Sequence, residues 1–253
     1  MHNGFSKAQA RRPENCGRCH LGPDHPQKEI YEESKHGIAF HASEDVMNLD
    51  SDTWLVGQDY TAAPTCATCH MSAAPGVPAT HDPALRNTWN LKAKVSSRRE
   101  NWEENKSRMV KVCTACHSTD FITAWYENFD NAVELYNMKF AQPAAEIMAE
   151  LASSNKITST AFDDRIEWTY FFFWHHEGRR ARHGASMQAA DFVQWEGFFE
   201  VARTFYTEFL PEAKILSPNV VDDVLSAPEH KWYIDGDLIN NLDQTKIRGY
   251  KRY

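Results

Sequence analysis

Between residues 121 and 151 the apolar side chains Phe129, Val133, Tyr136, Phe140, Ile147 and Leu151 return at helical spacing, which predicts a helix with one apolar face. Pro143 lies inside this run. It has no amide hydrogen and its ring crowds the preceding turn, so the helix should kink or split there. A second helical pattern covers 161–182 (Phe162, Ile166, Tyr170, Phe173, Trp174) and a third covers 190–210 (Phe192, Trp195, Phe199, Ala202, Phe205, Phe209). Gly184 and its neighbours mark the break between them. The chain before residue 120 reads differently: Pro13, Gly17, Gly22, Pro23, Pro26, Pro64, Pro75, Gly76, Pro78 and Pro83 interrupt it, leaving short helical stretches at 27–37 and 97–112. The last stretch is polar and weakly periodic. The pattern predicts a mainly α protein with little regular structure over 1–120, long helices over 121–212, and an irregular tail over 213–253.

Aromatic stripes at helical spacing are core positions in the first instance. Helices this rich in Phe and Trp nevertheless carry more apolar surface than one small bundle needs, which points to packing between subunits.

Cysteine changes the picture of the first half. All six cysteines fall into three copies of one group: Cys16, Cys19 and His20; Cys66, Cys69 and His70; Cys113, Cys116 and His117. Disulfide frameworks and zinc ribbons also pair cysteines, but neither explains a histidine after every pair, whereas covalent c-type haem attachment requires that layout. Each thiol adds to a haem vinyl and the adjacent imidazole becomes an axial iron ligand. Three haems would supply apolar core that the breaker-rich chain lacks. Haem c is attached outside the cytoplasm, which predicts a periplasmic or equivalent location. The opening residues show no apolar segment with a cleavage site, so the leader has been removed or the chain is the later part of a longer one. No stretch is apolar enough to span a membrane. The formal net charge of −8 argues against a nucleic-acid partner and suits docking to a basic electron-transfer protein.

Nine further histidines remain. His36 and His183 each precede a glycine, Gly37 and Gly184, that would let the backbone pass close to a flat porphyrin. His81 precedes Asp82, whose carboxylate could fix the ring. These three are the expected distal ligands. His175 and His176 are adjacent on a helix, so one of them at most reaches a given iron. His41 reads equally well as a packing residue, and His2 and His230 as solvent-exposed. Asp24 and His25 follow the first haem group closely. A carboxylate beside an imidazole relays protons near neutral pH. Asp24 could instead cap the helix that starts near Pro26, with His25 a ligand or a packed ring.

The stretches "CGRCHLGPDHPQKEIYEESKHG", "CATCHM" with a downstream "THD", and "WHHEGRRARHGASM" followed by "DFVQWEGFFE" resemble the C-terminal half of the octahaem hydroxylamine oxidoreductases, a family that includes hydrazine dehydrogenase and nitrite-reducing relatives. The resemblance covers most of residues 10–210. It implies eight haems in a full-length chain, all bis-histidine except one catalytic haem with an open side, and a trimer built through the C-terminal helices. Only three attachment sites are present here, so the chain is expected to be part of a longer enzyme. The resemblance also implies that Asp24 and His25 reach the catalytic haem's distal pocket, where a small nitrogen compound is the substrate. Oxidising relatives carry a tyrosine bonded to the catalytic haem of a neighbouring subunit, in a motif that reads Asp191-Phe192-Val193-Gln194-Trp195-Glu196-Gly197 here. Phe192 has no phenolic oxygen, which favours a reductive, nitrite- or hydroxylamine-reducing member. Tyr206 is the nearest replacement, but it lies about 21 Å farther along a helix. The alternatives are hydroxylamine or hydrazine oxidation by a cross-linked member, and an electron-transfer cytochrome without substrate.

Overall fold

Short helices joined by irregular chain make up the first part of the molecule, a computed structural model that describes residues 6–230. These are α1 (Lys7–Arg11), α2 (Pro13–Gly17), α3 (Gln27–Glu33), α4 (Lys35–Ala42), α5 (Cys66–His70) and α6 (Trp102–Cys113). The helix expected over 27–37 is two helices. Ser34 leaves helical geometry (ψ 156°) and caps α4, its hydroxyl accepting from the Gly37 amide at 3.1 Å. The helix expected over 97–112 starts later, because Ser97 and Arg98 form β2 (Ser97–Arg98), which pairs antiparallel with β1 (Trp89–Asn90). The chain also builds an apolar cluster of its own here, from Tyr31, Phe40, Met47, Trp54, Val56 and Tyr60. Trp54 stacks on Tyr60 at 4.5 Å and donates from its indole nitrogen to the Met47 carbonyl at 2.9 Å.

Ser118 opens the first long helix by accepting from the Phe121 amide. α7 (Thr119–Tyr136) passes through a π segment, Asn137–Ala141, into α8 (Gln142–Ser153). Pro143 therefore does not split the helix. It sits in the first turn of α8, directly after the wider π turn, where a missing amide hydrogen costs little. α9 (Arg165–Phe172) likewise continues through Phe173–Glu177 into α10 (Gly178–Ser186). The final run is α11 (Ala190–Phe192), two π segments, Val193–Phe199 and Phe205–Phe209, on either side of α12 (Glu200–Thr204), and then α13 (Leu210–Leu216).

The break between the last two long helices falls at Gln188, whose φ is +66°, and Gly184 lies inside α10. A Cβ on Gly184 would meet Val193 Cγ2 at 2.9 Å, and one on Gly197 would meet Ala181 Cα at 2.7 Å. Both glycines exist for close helix–helix contact. Their shared core holds Phe173, Phe205 and Phe209, each fully buried and each contributing about 1.5–3 kcal/mol.

The chain after Leu216 departs from the irregular tail expected. α14 (Pro218–Leu225) buries Val221 and Leu225 in the same core. His230, expected in solvent, is 1% exposed and its Nδ1 lies 2.8 Å from the Tyr206 hydroxyl. His2 and the rest of the tail lie outside the described residues.

Candidate functional site

Each Cys-x-x-Cys-His group folds as one helical turn, which places both thiols and the imidazole on one face. The His20 amide bonds the Cys16 carbonyl at 3.0 Å and the His117 amide bonds the Cys113 carbonyl at 2.9 Å, while the middle group is α5 itself. A capping box of Thr65 and Thr68 starts α5. At its other end the buried guanidinium of Arg86 donates from Nη1 to the Thr68 and Cys69 carbonyls, both at 3.0 Å. The Cys16 and Cys66 side chains lie beside each other, and Cys113 lies near Cys69. The three groups thus run as neighbours, first to second to third.

The histidines divide into distinct environments. His36 faces His117 with ring centroids 6.0 Å apart, and two imidazoles bound to opposite sides of one metal ion at about 2 Å each stand about 6 Å apart. His70 Nδ1 donates to the Pro83 carbonyl at 3.0 Å, which leaves Nε2 for a metal. His183 is buried, its Nε2 has no partner, and burial followed by the charges of Arg182 and Arg179 pushes its pKa down to about 3. A neutral imidazole with an unpaired buried nitrogen is the ligating form. His81 is exposed and makes no hydrogen bond among the described residues. Asp82, expected to hold it, accepts from the Ala84 amide at 2.9 Å instead. The glycines after His36 and His183 make close contacts within the chain: a Cβ on Gly37 would collide with the Tyr31 carbonyl, and one on Gly184 would meet Val193.

Asp24 and His25 belong to a cluster that local sequence does not reveal. The Asp24 Oδ1 lies 2.5 Å from His25 Nδ1, and Oδ2 lies 3.2 Å from Arg179 Nη1 and 3.8 Å from His175 Nε2. Arg179 is locked by two bonds to the Lys92 carbonyl, from Nε at 3.1 Å and Nη2 at 2.8 Å. Burial alone would raise the Asp24 carboxyl, but the His25 hydrogen bond and the charges of His25 and His175 outweigh it and hold it below the usual range. His25 Nε2 bonds the Cys19 carbonyl at 2.9 Å. A carbonyl only accepts, so Nε2 donates in that bond. With both nitrogens engaged, His25 is not arranged as a metal ligand. His175 Nε2 accepts from Arg179 Nη1 at 3.1 Å, one helical turn away. The signal for Arg179 and His175 was the run His175-His176-Glu177-Gly178-Arg179, where i and i+4 share a face.

All six thiols are free. Three thiol pairs each aligned with an imidazole, the facing His36 and His117, and the unpaired Nε2 of His183 form a donor set that fits haem c. Residues 1–162 match the family described as seven times multi-haem cytochrome CxxCH. The chain belongs to this multihaem cytochrome family. It is a haem c protein, and such cytochromes are typically extracytoplasmic; no helix among the described residues is long and apolar enough to cross a membrane. A "Probable nitrite reductase-hydroxylamine oxidoreductase fusion protein" of Kuenenia stuttgartiensis is 29% identical over 180 residues, covering 60% of this chain and 21% of that one. A solved "Hypothetical multiheme protein" superposes with TM-score 0.74 at 20% identity, over 89% of this chain and 58% of the other. A reducing HAO-like protein complex of Kuenenia stuttgartiensis superposes with TM-score 0.73 at 20% identity, over 88% and 59%. At that identity the superpositions establish a shared fold. This multihaem cytochrome spans about a fifth of the curated relative and under three fifths of either solved chain. The resemblance to hydroxylamine oxidoreductase-like proteins holds in the curated relative and in the solved complex.

Proposed function

We propose that this multihaem cytochrome is the C-terminal part of a periplasmic oxidoreductase that reduces a small nitrogen compound such as nitrite or hydroxylamine. The observation that carries the reading is the Asp24 carboxylate held between His25 Nδ1 and Arg179 Nη1, four residues after the first haem group. Haem c, when bound, supplies one-electron transfer through its iron. Cys16, Cys19 and His20, Cys66, Cys69 and His70, and Cys113, Cys116 and His117 would hold three haems. His36 is assigned to the third, opposite His117; His183 and His81 are assigned as further distal ligands, including to haems held by chain outside this sequence.

The cluster supplies what electron transfer alone lacks. Reducing a nitrogen oxide consumes protons with the electrons, and His25 holds one at Nε2 on the Cys19 side. Asp24 bonds the other ring nitrogen, and Arg179 orients the carboxylate. A pure electron carrier needs no such store. Phe192, buried against Ile30 and Ala189 of its own chain, offers no phenol for a haem cross-link, which supports the reductive direction. Trp168, Phe172, Trp195 and Phe199 are each between 44% and 61% exposed and support packing of the long helices against further protein, a trimer in this reading. In the full-length holo-protein, Asp24→Asn should slow turnover while haem content and low-spin spectra stay intact. Equal turnover would reduce the pair to a structural role.

A further inference from the structure

Arg86 is 1% exposed, yet its charge meets no acid. Its four acceptors are all backbone carbonyls: Thr68 and Cys69 at 3.0 Å from Nη1, Ser72 at 2.6 Å and Pro78 at 3.3 Å from Nη2. Nε is buried with no partner. Among the described residues no carboxylate pairs with it, and every acceptor is a backbone carbonyl. Buried arginines are ordinarily paired, because an isolated charge in a poorly polarisable interior is costly. Here the cation is retained by carbonyl dipoles alone, two of them the terminal carbonyls of α5, where a positive charge also opposes the negative end of the helix.

The place of this charge is specific. Thr68 and Cys69 belong to the turn that carries the second haem, and His70 follows Cys69 directly at the end of α5. Lys111 and Arg108 line the cleft beside Arg86, with Glu104 the one acid there, and Glu104 is taken up by Arg108. A cation fixed in a buried position next to a redox group acts on it more strongly than one in solvent.

We propose that Arg86 is the positioning residue that sets the reduction potential of the haem attached at Cys66 and Cys69, raising it by holding an unpaired positive charge against the attachment turn. Adding one electron lowers the charge of that site by one unit, so a nearby cation favours the reduced state. The electron comes from the haem at either neighbouring group. This inference rests on haem attachment alone and is independent of the role given to Asp24 and His25.

The test is a spectroelectrochemical titration of the full-length holo-protein at pH 6, with attached haems counted by mass spectrometry, for Arg86→Gln and Arg86→Lys. The glutamine removes the charge and should shift the midpoint of one haem to lower potential with the others unmoved. The lysine keeps the charge without the fork and should hold that midpoint close to its original value. An unchanged midpoint in a fully loaded Arg86→Gln protein overturns the proposal, as does an equal fall in both variants. Should Arg86→Gln fail to load the second haem, the neutral Arg86→Met takes its place: a lowered midpoint beside a retained one in Arg86→Lys supports the charge effect, and an unchanged midpoint overturns it.

Discussion

Arg179 Nη1 meets Asp24 Oδ2 at 3.2 Å across 155 residues of chain, and the same nitrogen bonds His175 Nε2. The guanidinium has no freedom to turn away, because Nε and Nη2 are both held by the Lys92 carbonyl.

Removing that clamp should therefore cost function before it costs fold. Arg179→Gln loses the charge opposite Asp24 and should lower kcat of the full-length holo-protein by about a hundredfold, the lower end for a disturbed acid–base group. Haem content and low-spin absorption should be unaltered. A kcat equal to that of the unaltered enzyme would show that Asp24 needs no cation.

His36 and His117 face each other at the separation two axial imidazoles require. His36→Ala should convert one haem from low to high spin in the holo-protein, read by EPR and the visible spectrum, and His41→Ala should leave every haem unchanged. An unaltered low-spin count in His36→Ala would remove it from the ligand set.

Glu177 predicts a pH-dependent stability. Burial pushes its carboxyl up to about 7, and the Thr204 hydroxyl, 2.8 Å from Oε1, and Arg203 only partly oppose this. The folded protein keeps a proton that the unfolded chain releases above its ordinary value of 4.5. The contribution is full below that value and is lost as pH rises to about 7. Urea unfolding should weaken over this window by on the order of 1–3 kcal/mol. Glu177→Gln should flatten that dependence.

Tyr206 is enclosed by Phe140 and Phe205 and bonded to His230. Peptide mass spectrometry of the holo-protein should find haem on the six cysteines and none on Tyr206. Tyr206→Phe should cost stability by about 1 kcal/mol, the net worth of one hydrogen bond. A haem–tyrosine peptide would restore the oxidising direction.

The sequence by itself determined what is local or periodic. Three thiol pairs with their imidazoles were readable because the attachment chemistry is complete within five residues, one helical turn. Phe129, Val133, Tyr136, Phe140, Ile147 and Leu151 were readable as a buried face because helical repeat maps position onto side, and all six are buried. Asp24 and His25 stood out as neighbours in the chain. Periodicity states which face is apolar and says nothing of what covers it, so Gly184 read as a break when it is a contact with Val193, and Pro143 read as a split when a π turn ahead of it takes up the missing amide. The tertiary structure alone brought Arg179 to Asp24, buried His230 beneath Tyr206, and set Arg86 against the second haem turn. Polar contacts such as these are chosen by the path of the chain over tens of residues, and a charged side chain carries no mark in sequence of the partner it will meet.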